Sequence, residues 1–440
     1  MSKHSALIIT VPGDGHAHAI AWGLRQSSWE VDIVFLSDFP KMATLTIYDD
    51  KIVILQNDRQ IDFDNYSSIW FRKFSDAQIP HETHPSDRVI ARRFWEFSIR
   101  GILERLDLSD KFVINGYEGI LLSENKVAQM AVARASALKV PKTIVSTTAV
   151  DIVNFIKQNR KDGKNTITKG LYLAMWDLGE DGLGVFETER VTSEEVSGND
   201  MTLAPHIFQE EITKSYEVRL TVMGGSFFAA AIDSQLQEES SVDYRRTKSF
   251  DDLNCRHIHV PDDVRLGVLK FNSYFNLIFG TFDFIVDVHG HWYFLEVNPM
   301  GQFLWVEHVN HNIPLLDAAI KFMKSGNRNF DYDFGASERF NMQSWMLSDD
   351  FRDFSYGKRE RELHVQIEKP APNDSRLDQA RSRSARPSET PYKYANTYRI
   401  YLSAGFARAP FGRLPCSPPL SFCLSFKRMP KQNKKFRCVD

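Results

Sequence analysis

The chain has 440 residues, of which 42% are hydrophobic and 25% charged, the composition of an ordinary soluble globular protein with room for two or three domains. It contains no run of about 18 apolar residues and no signal-peptide order at its N-terminus, so neither a membrane span nor secretion is expected, and the cytoplasm is the expected location. The net charge of −3 hides an asymmetry: residues 381–440 hold 13 Lys plus Arg against 2 Asp plus Glu, or +11, which leaves −14 for residues 1–380.

In chain order, SALIITVP (5–12) predicts an apolar strand, and GDGHAHAIAWGLRQSSW a Gly-rich turn entering a helix. VDIVFLSD, KIVILQ and YSSIWFRK predict further strands, giving an α/β texture. The GDGHAH turn matches neither GxGxxG nor a Walker motif, and His16 and His18, two apart in a loop, read as structural. VAQMAVARASALKV is an Ala-rich helix with Ser123 or Asn125 as its N-cap, ending before Pro141. KTIVSTT then predicts a strand, DIVNFIKQNRKD a second helix, and NTITKGLYLAM a strand containing Lys169. DLGEDGLG (177–184) places three glycines in eight positions, as a loop close to a ligand or as a plain hairpin tip.

The segment 204–235 predicts the strand HIFQEEI, then YEVRLTVMGG and SFFAAAIDSQ around a Gly-Gly turn. Arg219 lies among apolar neighbours and needs an anionic partner, because burying a lone cation is costly. Two partners fit: a salt bridge to an acid such as Glu217 or Asp233, or a phosphate. Further on, GTFDFIVD predicts a buried strand interrupted by Asp283, VHGHW a hairpin turn, and FLEVNPMGQFLW a returning strand. Residues i and i+2 of a strand share a face, so Glu296 and Asn298 converge, and pairing across the hairpin brings Asp283 beside Glu296. Three oxygen donors on one patch suit Mg²⁺ or Mn²⁺ with nucleotide phosphates. Glu296 as a strand-end cap and Asn298 as support of an Asn-Pro turn fit the same spacing.

The four cysteines, Cys255, Cys416, Cys423 and Cys438, match neither a zinc nor a redox motif, which suits a reducing compartment. RSRSARPSETP and ARAPFGRLPCSPPLSF are rich in Arg, Ser and Pro without an apolar period, and predict a disordered basic tail dispensable for chemistry. Clustered cations can bind phosphate backbones, but most charge runs are solvated, so a nucleic-acid partner is not expected. PLLDAAIKFMKSG predicts a helix that packs Leu315, Leu316, Ala319 and Phe322.

Taken together, six segments in order resemble the ATP-grasp ligases, most closely the microviridin-type or graspetide synthetases that mature ribosomal peptides. They are SIWFRK (68–73), ENK (124–126), FQEEITKSYEVRLTV (208–222), AAIDSQ (230–235), DYR (243–245) and GTFDFIVDVHGHWYFLEVNPMGQFLWVE (280–307). The resemblance spans about residues 5–325, and nothing beyond about 345 matches. It implies an α/β ATP-grasp fold with an N-terminal α/β domain (1–120), a central lid domain (121–208), a C-terminal antiparallel-sheet α+β catalytic domain (209–345), and an extension with a disordered basic tail (346–440).

By the same resemblance, Asp283, Glu296 and Asn298 are magnesium ligands, and Lys126 and Lys169 contact nucleotide phosphates, although TITKG lacks the family's usual Pro after the Lys. Glu210, Glu211 and Ile212 meet the adenine, Glu217 receives the ribose hydroxyls, and Arg219 and Arg245 lie near the transferred phosphate. The implied cofactors are ATP and Mg²⁺, with Mn²⁺ as a substitute. The implied reaction converts Asp or Glu side chains of a precursor peptide, leader plus core, to acyl phosphates that Ser or Thr hydroxyls or Lys amines attack. Residues of these types neutralise charge during phosphoryl transfer and need no covalent intermediate on the protein. A homodimer is compatible with this reading, and a membrane partner is not expected. Two alternatives stay open: ligation of an amino acid to a protein or small-molecule carboxylate, and a nucleotide-binding regulatory protein without turnover.

Overall fold

A computed structural model of the chain describes residues 4–172, 175–177, 183–185, 188–199, 201–236, 253–335 and 340–357. The Arg/Ser/Pro-rich tail, with three of the four cysteines, and Arg245 of the DYR segment lie outside the described residues. Among the described residues, no helix is long and apolar enough to cross a membrane. The chain divides into two compact units, one containing residues 4–99 and 340–357, the other residues 100–335.

In the first unit, β1 (Ser5–Thr10) pairs in parallel with β2 (Glu30–Phe35). All six residues of β1 are buried, as expected of a central parallel strand covered on both faces. α1 (Gly15–Gln26) follows β1, with Asp14 as its N-cap accepting from the His16 amide. The GDGH segment is therefore the start of a helix. β3 (Ala43–Ile47), β4 (Ile52–Gln56) and β5 (Arg59–Asp62) form a separate antiparallel sheet, and β6 (Ser68–Phe71) returns to lie parallel to β1 on the side away from β2. α2 (Pro85–Asp107) runs across the division between the units.

The second unit begins with β7 (Phe112–Ile114), α3 (Tyr117–Ser123) and α4 (Lys126–Ala135). Asn125, not Ser123, caps α4, its side chain accepting from the amides of Val127 and Ala128 at 3.0 and 3.1 Å. A small sheet comprises β8 (Thr143–Ser146), β9 (Thr166–Lys169), β12 (Glu189–Arg190) and β13 (His206–Glu210) in the order β12-β9-β13-β8. β10 (Met175–Asp177) and β11 (Leu183–Val185) make a separate antiparallel ribbon within it in sequence. α5 (Ala149–Lys161) and α6 (Ser193–Ser197) cover the small sheet, burying Ile152, Ile156 and Val196 against Phe208.

The larger sheet is antiparallel, in the order β16-β15-β14-β17-β18. Its strands are β14 (Lys214–Met223), β15 (Ser226–Ile232), β16 (Cys255–Ile258), β17 (Phe279–Asp287) and β18 (Trp292–Asn298). One face packs Val218, Leu220, Val222, Phe282, Phe284, Val286 and Val297 with Val264, Val268 and Phe271 of α7 (Asp262–Tyr274) and Ala133 of α4. Each such large apolar side chain contributes roughly 1.5–3 kcal/mol by leaving water. The turn between β14 and β15 needs Gly224: its φ is +58°, and a Cβ there would meet the Phe330 amide at 2.6 Å. α8 (Leu304–Val309) and α9 (Leu315–Ser325) follow the sheet, and Leu315, Leu316, Ala319 and Phe322 are buried as their spacing predicts. The buried Glu307 carboxylate accepts from the Leu316 amide at 2.6 Å, satisfying one orphan donor of the α9 first turn.

Candidate functional site

Strand alternation gives the larger sheet a second face of different chemistry. Because Val218, Leu220, Phe282 and Phe284 face the core, Glu217, Arg219 and Thr221 of β14 and Thr281 and Asp283 of β17 face the other way. On β18 the sequence WYFLEVN puts Phe294 and Glu296 two apart, yet one is core and the other is not. The register explains this: Asp283 pairs with Glu296 and Phe284 with Phe294, so Leu295 is an extra residue. That bulge reverses the phase of the strand, keeping Trp292, Phe294 and Val297 in the core while Glu296 and Asn298 join the polar face. Asp283, Glu296 and Asn298 thus share one patch, as the spacing predicts.

The carboxylates of this patch are matched by cations. Arg219 lies opposite Asp283 in the register and its Nη1 donates to both carboxylate oxygens, at 2.8 and 2.9 Å, while its Nη2 donates to the Gln302 carbonyl at 2.7 Å. The salt bridge expected for Arg219 is present, but its partner is Asp283 rather than Glu217 or Asp233. Glu217 accepts from Lys214 at 2.8 Å, and Asp233 lies 3.7 Å from Arg256. Sequence distance favours near acids, whereas cross-strand register puts Asp283 directly opposite.

Lys126, the first residue of α4, reaches Glu296 at 2.9 Å and donates to the Gly170 carbonyl at 3.3 Å. The end of β9, where half-buried Lys169 sits, is thereby brought to the patch. The Asn298 side chain accepts from the Met300 amide at 3.1 Å, the turn-supporting role that its sequence also allowed. The loop after it is tight: a Cβ on Gly301 would sit 1.6 Å from Thr281 Oγ1.

Glu210 ends β13 and Glu211 and Ile212 follow it, away from the paired carboxylates in sequence but leading directly into β14. The buried Glu210 carboxylate accepts from the Lys142 amide at 2.9 Å and pairs with Lys164. Glu211 forms a two-pronged pair with Arg190, both contacts at 2.7 Å, and accepts from Asn165 at 2.9 Å. Burial alone would raise the Glu211 pKa, but these hydrogen bonds outweigh it and hold the carboxyl below its usual value. Ile212 is buried.

Two amides that the sequence reading did not single out organise the strands. Asn115, just after β7, accepts from the Ile278 and Phe279 amides at 2.8 and 2.9 Å and donates to the carbonyls of Phe279 and Pro299 at 2.8 and 2.9 Å. Gln129 of α4 donates to the Ser123 and Val297 carbonyls and accepts from the Val297 amide. The only sequence signal was an amide standing in an otherwise apolar stretch, in FVIN and in VAQMAV.

No protein-family model and no curated protein sequence matches the chain. Solved structures do. One is the macrocyclase MdnC of Microcystis aeruginosa bound with precursor peptide MdnA: 23% identical, TM-score 0.64, covering 73% of this chain and 99% of that one. Another is a RiPP-associated ATP-grasp ligase of Chryseobacterium gregarium in complex with ADP and a leader and core peptide: 20% identical, TM-score 0.67, covering 75% and 100%. A third is the ATP-grasp ligase PsnB with precursor peptide PsnA2 and AMPPNP: 19% identical, TM-score 0.57, covering 73% and 98%.

The chain has the ATP-grasp fold.

Within that ATP-grasp fold, the two carboxylates and the carboxamide of the polar patch are hard oxygen donors of the kind that divalent magnesium takes. Among the described residues no group of three or more His, Cys, Asp or Glu is arranged to hold a metal. A metal here would therefore rest on two carboxylates and an amide and complete its shell from water or phosphate, which suits Mg²⁺. The donor set fits the ion.

Proposed function

We propose that the chain is an ATP-dependent carboxylate ligase of the graspetide type. Its substrate is a ribosomal precursor peptide whose Asp or Glu side chains are phosphorylated and then joined to Ser or Thr hydroxyls or Lys amines, closing macrocyclic esters or amides. The observation that carries this reading is the polar sheet face on which Arg219 meets Asp283 and Lys126 meets Glu296, in a chain folded like ligases solved with precursor peptides and nucleotides.

In this reading Asp283, Glu296 and Asn298 hold Mg²⁺, and Mn²⁺ can replace it. When bound, the ion supplies charge neutralisation at the nucleotide phosphates. The rest falls to side chains. Lys126 and Lys169 hold the phosphates, Arg219 and Arg245 offset the charge that develops on the group in transfer, and Glu217 receives the ribose hydroxyls. Glu210, Glu211 and Ile212 line the adenine. The guanidinium of Arg219 is fixed at three acceptors, so its fork is already oriented before substrate arrives. The divisions at about residues 120, 208 and 345 are the domain boundaries of this reading, with residues 346–440 an extension and a basic tail. The enzyme acts in the cytoplasm, without nucleic acid, as a monomer or homodimer.

The test is co-expression with a candidate precursor rich in Thr and acidic residues, followed by intact mass measurement. Loss of one water per crosslink is the expected result. A mass gain of one amino-acid residue, the amino acid less one water, would favour the free-amino-acid ligase instead, and an unchanged peptide would contradict both.

A further inference from the structure

Among the described residues β18 is the last strand of its sheet, and no described strand neighbours its outer edge, which presents backbone donors and acceptors. The chain covers that edge in two ways. Near its start, the Phe294 amide donates to the Lys139 carbonyl at 2.7 Å. Near its end, at Val297, the partner is a side chain. Gln129 Oε1 accepts from the Val297 amide at 2.9 Å and its Nε2 donates to the Val297 carbonyl at 3.0 Å, the paired exchange that a strand residue would make. The same Nε2 donates to the carbonyl of Ser123, the last residue of α3, at 2.6 Å. Gln129 is 2% exposed and Val297 4%, so water does not serve these groups.

Position gives this contact a consequence for the site. Val297 stands between Glu296 and Asn298. Lys126 is three residues before Gln129, on the same side of α4, and reaches Glu296 at 2.9 Å. A side chain as long as lysine has many rotamers, and only a fixed helix start keeps its ammonium over one carboxylate. Resting on the proposed function, we propose that Gln129 is a positioning residue: by pairing with Val297 it holds the first turn of α4 against β18, and so fixes Lys126 relative to Glu296 for binding the phosphates of Mg–nucleotide.

A purely structural amide would affect stability but act independently of Lys126, which a double-mutant cycle distinguishes. The probe is Mg–AMPPNP, its affinity measured by titration calorimetry on the full chain for wild type, Gln129→Met, Lys126→Ala and the double variant. Gln129→Asn is the second substitution, keeping an amide one methylene short of Val297 in case Gln129→Met does not fold. Loss of position should weaken Mg–AMPPNP about tenfold in the Lys126 background. In the Lys126→Ala background the same substitution should change affinity less than about twofold. Equal losses in both backgrounds would overturn the proposal, as would a chain that folds with neither substitution, since Gln129 would then be a folding residue alone. Failure of the wild-type chain to bind Mg–AMPPNP would contradict the nucleotide reading, and this proposal with it. Equal losses in a chain that does bind would remove the proposal and leave that reading standing.

Discussion

Two sets of paired charges, one in each unit, differ in how far water reaches them. In the first unit, Asp14 accepts from Thr10 at 2.7 Å and from the His16 amide, and lies 3.4 Å from the Arg72 guanidinium, with Asp14 and Arg72 both wholly buried. In the second unit, Arg219 and Asp283 are 7% and 14% exposed, and Lys126 and Glu296 21% and 19%. A sealed pair can only hold its own fold together. A pair at an open face can exchange partners with a ligand, because neither charge is left bare when the other turns away. The six-residue segment SIWFRK and the hairpin 280–307 both point to ATP-grasp ligases in the sequence, but only the second places its charges at such a face.

The largest expected effect lies in the sealed set. Burial by itself would raise the Asp14 pKa, yet Arg72, Lys73, His16 and the Thr10 hydroxyl together hold it well below the usual carboxylate range. Asp14→Asn keeps the shape and removes the charge that balances buried Arg72. It should cost about 3–5 kcal/mol of stability, read by denaturant unfolding. If the variant is as stable as wild type, the sealed pair does not hold the unit together.

At the open face the same kind of change should act on chemistry. Arg219→Lys cannot reproduce a fork that meets Asp283 and the Gln302 carbonyl at once. Turnover on a precursor peptide should fall about 100-fold, some 2.7 kcal/mol at the transition state, with a much smaller change in ATP affinity. A variant that loses thermal stability but keeps its rate when folded would make this pair structural, like the sealed one.

A smaller effect is the pH dependence that Lys73 of the first unit contributes. Burial lowers the Lys73 pKa to about 8, with Asp14 opposing the shift and Arg72 adding to it. Below about pH 8 both folded and unfolded chains hold the proton, and the cost of burying it is fully present. Between about 8 and the unfolded value of 10.5 the unfolded chain binds more protons, so stability rises with pH, by up to about 1.4 kcal/mol per unit. Unfolding measured from pH 8 to 9.5 should show the rise, and Lys73→Met should remove it. A rise that persists in Lys73→Met would assign it to another group.

Much of this was legible in the sequence. Apolar runs and alternation located most strands, and the i, i+2 spacing put Glu296 and Asn298 on one face because a strand has period two. What the sequence hid is what depends on register. Arg219 finds Asp283 through a pairing 64 residues apart, and the Leu295 bulge that lets Phe294 and Glu296 face opposite ways leaves no local mark. Asn115 and Gln129 were missed for a related reason: a buried amide reads as a misplaced polar residue until the strand whose backbone it completes is known. The GDGH turn reads as structural, although Gly, Asp and His also serve ligand loops, and the structure agrees with that reading. Its Asp14 turned out to cap a helix and neutralise Arg72.

The central claim is that the polar face of the larger sheet holds Mg–nucleotide for ligation, and Glu296→Gln tests it most directly. The substitution is nearly isosteric and keeps a carbonyl oxygen, but removes the negative charge that Lys126 now meets. Titration of Mg–AMPPNP and mass measurement of co-expressed precursor are made on the same folded variant. The account predicts a chain that unfolds within about 1 kcal/mol of wild type, binds Mg–AMPPNP at least tenfold more weakly, and leaves the peptide undehydrated. Wild-type binding and full dehydration by Glu296→Gln under saturating ATP and magnesium would contradict it.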